Sequence, residues 1–188
     1  RLIDQNIHDV NAAFMKAREK EEIKFFLFSD FKKAYDNVDR NALIRILRHI
    51  RMPEWAVKTV EGLLDSTTTW IGRRDRIPMA VYRGVKQGDP LSPILFNVVI
   101  DMLLDRIEKG GCELSAYADD ICSMPIGQEK LEALKPQFDL YGKATGAELN
   151  TTKTEIMCSQ EEYEYPEKSL WKDVPKVNKY KYLGITFG

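Results

Sequence analysis

Three carboxylates stand where carboxylates are costly. Asp30 follows directly on the apolar aromatic run of residues 24–29, KFFLFS. A charge at the end of a buried strand is unfavourable unless something compensates it. Asp119 and Asp120 are adjacent, between two short strand-like runs at residues 113–117 and 121–124. On a straight strand neighbouring side chains point to opposite faces, whereas at a tight turn both can converge. Converging carboxylates repel, and one pKa rises unless a cation neutralises the pair. A hard divalent cation with oxygen ligands does this, and Mg²⁺ held by one or two carboxylates plus substrate phosphates is the usual pattern. Taken alone, Asp-Asp reads first as a solvated turn, so the surrounding sequence has to decide.

The elements that must position these residues follow from periodicity. Leu2, Ile3, Ile7, Val10, Phe14 and Ala17 fall at three- and four-residue steps, one face of an amphipathic helix. KFFLFS is a buried strand, and its Phe25, Phe26 and Phe28 are core rather than a base-stacking platform. Leu43, Ile44, Leu47 and Ile50 predict a helix over residues 41–51, which Pro53 stops; a second helix runs over 54–64. Residues 67–71 and 77–82, around the polar turn Gly72-Arg73-Arg74-Asp75, predict a hairpin. Residues 92–109 predict a helix with Pro93 at its start and Gly110-Gly111 beyond its end. A further helix spans 129–144, and strands are expected at 155–158 and within 180–187. Residues 160–173 are acidic and loop-like. Helices alternating with hairpins favour an α+β sandwich, an antiparallel sheet with helices packed on one face.

Composition narrows the function classes. The chain has 188 residues, 44% apolar and 30% charged, which excludes wholesale disorder. No apolar run reaches the length of a transmembrane helix, about 18 residues, and no secretory signal opens the chain. The first residue is Arg1, which reads as a fragment or processed piece. Lys plus Arg number 28 against 29 Asp plus Glu, so any nucleic-acid surface must be local or lie elsewhere. The local basic excess is Arg40, Arg45, Arg48 and Arg51, then Arg73, Arg74 and Arg76; phosphate contact and a solvated helix face are both open for it. Cys112, Cys122 and Cys158 lack CxxC spacing, and the histidines are His8 and His49. Buried thiols in a reducing compartment are expected, not a disulfide framework or a zinc site.

Five ordered blocks decide the reading of the carboxylates. They are FSDFKKAYDNV at residues 28–38, GVKQGDPLSPILFN at 84–97, AYADD at 116–120, GAELN followed by KTE at 146–155, and YLG at 182–184. Together they resemble the palm of a reverse transcriptase of the LINE-type, non-LTR retrotransposon branch. YADD alone is a modest signal, the fourteen-residue second block a strong one, and the order of all five stronger still. The resemblance implies an α+β, reverse-transcriptase-like palm over residues 1–188. Residues 1–24 would form a fingers/palm helix, 25–158 the palm core, and 159–188 an acidic loop and a primer-grip-like hairpin. It also implies fingers mostly absent and thumb absent, supplied by the parent polypeptide or other chains.

The function implied is RNA-directed DNA polymerisation, with a primer 3′ hydroxyl attacking a dNTP. Such chemistry depends on positioning and charge neutralisation rather than on a protein nucleophile. By the same resemblance, Asp30, Asp119 and Asp120 are catalytic and, with the backbone carbonyl of Phe31, bind two Mg²⁺ ions, for which Mn²⁺ could substitute. Phe31, Tyr35, Gln87 and Gly88 bind substrate, with Tyr35 a steric gate against the ribose 2′ hydroxyl. Lys153 would be the general acid to the departing pyrophosphate, and Tyr182, Leu183 and Gly184 would contact the primer. The implied partners are an RNA template, a DNA primer and dNTP, with no membrane. The implied location is intracellular and reducing, nuclear for an active retroelement or else in an organelle. A second reading is a non-catalytic, domesticated or fragmented relic serving as a structural or RNA-binding part of a larger assembly. A generic Mg²⁺ nuclease or an RNA-directed RNA polymerase fits the YADD and QGDPLSP wording less well.

Overall fold

The central strand, β1 (Phe25–Ser29), is buried along its whole length. A continuous apolar run is what a strand covered on both faces requires. A computed structural model of the chain describes residues 2–65, 68–72 and 75–188. In it β1 lies inside a four-stranded antiparallel sheet of order β4-β5-β1-β6, with β4 (Glu113–Tyr117), β5 (Asp120–Met124) and β6 (Glu155–Cys158). The helices are α1 (Ile3–Glu19), α2 (Arg40–His49), α3 (Glu54–Leu64), α4 (Ser92–Lys109) and α5 (Gln128–Thr145). Two small hairpins complete the elements, β2 (Thr68–Ile71) with β3 (Ile77–Ala80), and β7 (Tyr180–Tyr182) with β8 (Ile185–Phe187). Thr67, Arg73 and Arg74 of the expected first hairpin lie outside the described residues.

Side-chain alternation divides β1 between two cores. Phe25 and Leu27 pack with Ile121, Ile156 and the inner faces of α2, α3, α4 and α5, for example Leu43, Val57, Leu103 and Leu131. Phe26 and Phe28 pack on the other face with Cys122, Met124 and Met157, under Val10 and Phe14 of α1 and Tyr182 and Phe187 of the last hairpin. The expected single helical face is thus formed by α2 to α5. The second face is closed by α1 and the β7–β8 hairpin, because an all-apolar central strand leaves neither face for water.

The stretch read as an acidic loop, residues 160–173, is irregular but is not merely surface. Trp171 is among the largest fully buried side chains. Its indole N–H donates to the Leu131 carbonyl at 2.8 Å, and its ring meets Phe138 edge-on at 5.9 Å. Cys112 and Cys122 are buried as expected, Cys158 is half-buried, and all three are free thiols. Among the described residues no helix is long and apolar enough to cross a membrane.

Two loops are clasped together before α4. The Gly84 N–H donates to Val38 O at 2.8 Å and the Val85 N–H to Tyr35 O at 2.9 Å. Arg40, expected as part of a basic face, is spent on the same clasp. Its guanidinium donates to the carbonyls of Gly84 (3.0 Å), Leu64 (2.6 Å) and Val81 (2.7 Å). Gly84 has φ +81, and a Cβ there would stand 2.6 Å from the Asp36 carbonyl oxygen. Gly88 has φ +86 but would meet nothing within 4 Å. Gly84→Ala should therefore cost about 2–4 kcal/mol, from backbone strain and overlap. Gly88→Ala should cost only the strain, about 1–2 kcal/mol. Urea-unfolding midpoints of the two variants check the difference, and equal losses would show that the clasp does not constrain Gly84.

Candidate active site

The register of the central strands brings the carboxylates to one sheet end. Leu27 pairs with Ser123, Phe28 with Cys122 and Ser29 with Ile121. One step further along the same register sets Asp30 opposite Asp120. Both continue the face of Phe28 and Cys122, since side chains two apart share a face. β4 and β5 join through Ala118 and Asp119, between the paired Tyr117 and Asp120. Ala118 has φ +53, a backbone region that hairpin turns of this length require at their first central residue and that glycine usually fills. Asp119 is therefore on the turn and Asp120 in the strand.

The gathered charges act on one another. Partial burial, then the negative charges of Asp119 and Asp30, hold the Asp120 carboxyl above its ordinary pKa. Tyr180, stacked on Phe28 with centroids 3.8 Å apart, has its phenol pushed up to about 12 by burial and then by Asp120, Glu155 and Asp30. Among the described residues, no ion pair reaches Asp30, Asp119 or Asp120.

Asp30 is held from the side of β6 by residues 148–154. The Asp30 N–H donates to Thr154 Oγ1 at 3.2 Å, and Asp30 O accepts from the Asn150 N–H at 2.8 Å. Asn150 Nδ2 donates to Asp30 Oδ2 at 2.9 Å. Phe31 bridges to Leu149, and the Lys32 N–H donates to Glu148 O at 2.9 Å. Backbone groups alternate sides along an extended strand. Since Asp30 and Lys32 face residues 148–154, the Phe31 carbonyl faces the β5 side, where the acidic turn lies. The Phe31 side chain points into the helical core.

Tyr35 lies flat on Phe96 of α4, centroids 4.5 Å apart and planes 21° apart. Its phenol is raised by burial and then by the Asp119 charge, which puts the ring beside the acidic turn. A cavity of about 520 Å³ opens there, lined by Tyr35, Pro93, Asn97, Asp101, Tyr117 and Ala118. A larger one, about 920 Å³, lies away from the carboxylates between α2, α3 and β3.

Other expected site residues stand apart. Gln87 and Gly88 are exposed and do not line the cavity beside Tyr35; Gln87 donates to Asp36 Oδ1 at 3.2 Å. Gly88 owes its glycine to a positive φ and not to a close approach within this chain. Lys153 is exposed on the turn after Asn150, where its N–H donates to Asn150 O at 3.1 Å. Tyr182, expected among the primer contacts, is turned inward. Its side chain is buried, and its hydroxyl donates toward Ser115 O at 3.3 Å and Asp120 O at 3.5 Å. Of the turn residues, with φ +47 and +91, Leu183 is half-buried against the second core and Gly184 is exposed. Of the basic helix residues, Arg40 leaves the face to bind carbonyls, while Arg45, Arg48 and Arg51 remain exposed, Arg48 paired with Glu54 at 3.0 Å.

Whether these residues suit a divalent metal can be judged from the donor set. Among the described residues no group of three or more His, Cys, Asp or Glu side chains is drawn together as a metal cage. The expected convergence of Asp30, Asp119 and Asp120 into one ready ligand set is therefore not met by the chain alone. Unneutralised carboxylates repel, and Asn150 holds Asp30 from the other side. Mg²⁺ does not need an all-protein cage, since it takes one or two carboxylates and completes its shell with waters and phosphates. Half-exposed carboxylates without basic partners, facing a backbone carbonyl, fit that chemistry.

The raised Asp120 pKa has a consequence for stability. A carboxyl whose folded pKa exceeds its unfolded pKa binds more protons in the folded state. Its contribution to stability therefore falls as pH rises from the unfolded value through the folded one. Asp120→Asn should raise Tm at pH 7, and the gain should vanish below pH 3, where both states of the wild-type group are protonated. Thermal melts at the two pH values check this; a destabilised variant at pH 7 would mean that Asp120 gains more from its surroundings than it loses.

Comparison with known proteins identifies the family. The family described as reverse transcriptase (RNA-dependent DNA polymerase) matches residues 2–187. The chain is 30% identical over 151 residues to a retrovirus-related Pol polyprotein from type-1 retrotransposable element R2 of Popillia japonica, covering 73% of this chain and 21% of that protein. It is 31% identical over 174 residues to a putative 115 kDa protein in type-1 retrotransposable element R1DM of Drosophila melanogaster, covering 85% of this chain and 16% of that one. The chain thus spans about a fifth or less of these relatives. In fold it is similar to apo telomerase of Candida tropicalis truncated from its C-terminal domain, with a TM-score of 0.70 at 17% identity over 98% of this chain and 37% of that one. A family match along almost the whole length, with relatives from R1 and R2 elements, fixes the assignment: the chain belongs to the reverse transcriptase family, in its LINE-type, non-LTR retrotransposon branch.

Proposed function

We propose that this chain is the palm of an RNA-directed DNA polymerase, residues 25–158 forming its core. It would extend a DNA primer on an RNA template with dNTPs. One observation carries the proposal. The register of β1 and β5 sets Asp30 beside Asp120 and the Asp119 turn, where the charges act on one another and no basic side chain answers them. Asp30, Asp119 and Asp120 would hold Mg²⁺, or Mn²⁺, with the Phe31 carbonyl. When bound, such ions supply Lewis-acid stabilisation of the developing phosphate charge and activation of the attacking oxygen.

The remaining roles belong to positioning. Tyr35, braced flat against Phe96, presents a rigid ring beside the acidic turn and would exclude a ribose 2′ hydroxyl by bulk. Gln87 can offer both a donor and an acceptor to a nucleotide, and Gly88 leaves the backbone there open. Lys153, free on an exposed turn, would give a proton to the leaving pyrophosphate. Leu183 and Gly184 would face the primer. Fingers and thumb would come from the parent polypeptide or from other chains. The relic reading is opposed by all three carboxylates and by the hydrogen bonds that still hold Asp30.

The test is extension of a labelled primer on an RNA template. With fingers and thumb supplied, Asp30→Asn or Asp119→Asn should lower the rate on the order of 10²-fold or more, as loss of an electrostatic stabiliser does. The 188-residue chain alone should give no extension, because substrate positioning, worth roughly 7–11 kcal/mol, is missing. Undiminished extension by both Asn variants would remove the carboxylates from the chemistry. Tyr35→Ala should raise ribonucleotide incorporation relative to dNTP, while Tyr35→Phe should change little. Unchanged discrimination in the alanine variant would make Tyr35 a packing residue only.

A further inference from the structure

The turn of residues 150–154 engages Asp30 more completely than packing requires. Asp30 offers a backbone N–H, a backbone carbonyl and two carboxylate oxygens. Thr154 Oγ1 takes the first at 3.2 Å, and the Asn150 N–H donates to the second at 2.8 Å. The Asn150 side-chain amide donates to Oδ2 at 2.9 Å. That amide is itself oriented, because Thr152 Oγ1 donates to Asn150 Oδ1 at 2.8 Å and leaves Nδ2 as the group facing Asp30. The Lys153 and Thr154 N–H groups both close on Asn150 O, at 3.1 and 2.8 Å, so the turn is tight. Thr154 is fully buried and anchors it.

We propose that Asn150 is the positioning residue of this site. It fixes the Asp30 carboxylate through one oxygen without neutralising it, and leaves Oδ1 for a divalent cation. The chemistry favours an amide over a base. A lysine or arginine at this place would hold Asp30 by an ion pair and compete with the cation for its charge. An amide supplies the hydrogen bond and keeps the full negative charge in place against the repulsion of Asp119 and Asp120. Partners that orient a ligand typically govern metal affinity or activity by 10- to 100-fold. The proposal rests on the polymerase reading of the same carboxylates.

The experiment uses the full-length polypeptide that carries this chain, with two readouts. One is the Mg²⁺ concentration giving half-maximal primer extension. The other is Mn²⁺ binding, followed by the electron-paramagnetic signal of the free ion. Asn150→Ala should raise the half-maximal Mg²⁺ concentration and weaken Mn²⁺ binding, each about tenfold, with the KM for dNTP at saturating Mg²⁺ unchanged. Asn150→Lys keeps a donor but brings a positive charge, and should lose Mn²⁺ binding while remaining folded. Thr152→Val, which frees the amide and alters only an exposed residue, should shift both readouts in the same direction by a smaller factor. It serves as the measure if Asn150→Ala does not fold. Wild-type Mg²⁺ dependence and Mn²⁺ affinity in the alanine variant, or in Thr152→Val where it is the measure, would overturn the proposal. Asp30→Asn separates the two levels of argument. If it abolishes extension and Mn²⁺ binding while the Asn150 variants behave as wild type, the positioning role falls and the polymerase reading stands. If Asp30→Asn changes neither readout, both fall.

Discussion

Charge repulsion at the end of a buried strand is the constraint on which the rest of this structure depends. β1 is covered on both faces, and its antiparallel ladders with β5 and β6 hold its register. That register carries Asp30 out of the core directly opposite Asp120, next to a turn bearing Asp119. Burial and strand pairing thus assemble a group of like charges that would separate if free. Burial first, and then the charges of Asp119 and Asp30, hold the Asp120 carboxyl above its ordinary pKa. Under the proposed function, a divalent cation would relieve that repulsion.

What keeps the arrangement from relaxing is supplied by segments remote in sequence. Residues 148–154 hold Asp30 through its backbone and one carboxylate oxygen. The Gly84–Val85 segment clasps the loop of Tyr35 and Val38, and Arg40 binds the carbonyls around it. Each clasp has an ion pair at its exposed edge, Lys32 with Glu148 at 2.5 Å and Arg83 with Asp39 at 3.7 Å, but neither reaches the carboxylates of the site. Hydrogen bonds to backbone carbonyls and an amide give direction without cancelling the charge that the site requires. The second sequence block acts here first as structure. Its opening glycine permits an approach of backbone to backbone that any Cβ would prevent, and its later residues open α4, whose Phe96 braces Tyr35.

The elements were legible in the sequence because their periods are strong. The boundaries of α4, β4 and β6 are those expected, and β1 differs by one residue at its start. The places of the carboxylates, at a strand end and a turn, were legible from their setting, whereas their reading as a site came from the five ordered blocks. Asn150 was not legible, although it lies inside the fourth block, since an asparagine in a loop has no pattern that reveals a partner 120 residues away. Arg40 misled for a related reason: charge on a helix suggests solvent or phosphate, and only tertiary structure shows carbonyls converging on it. Trp171 could have been suspected, because a tryptophan in an otherwise acidic stretch has more apolar surface than a solvated loop can leave in water. Tyr182 was assigned to a primer by its block, yet a tyrosine alternating with exposed Lys181 on a three-residue strand has a buried face as its simplest place.

The burial of Tyr182 changes what the last hairpin can do. Its hydroxyl reaches the carbonyls of Ser115 and Asp120, on adjacent strands of the main sheet, while Tyr180 stacks on Phe28 below Asp30. The hairpin is therefore bound to both strands that carry the acidic residues. Its turn, Leu183 and Gly184, projects from that base with both φ angles positive, the backbone form that keeps a two-residue turn tight. A nucleic acid strand resting on the turn would touch a body joined to the backbone of Asp120. Contact at the tip would then be coupled to the carboxylates through aromatic packing and the single Tyr182 hydroxyl proton, shared between two carbonyls at 3.3 and 3.5 Å.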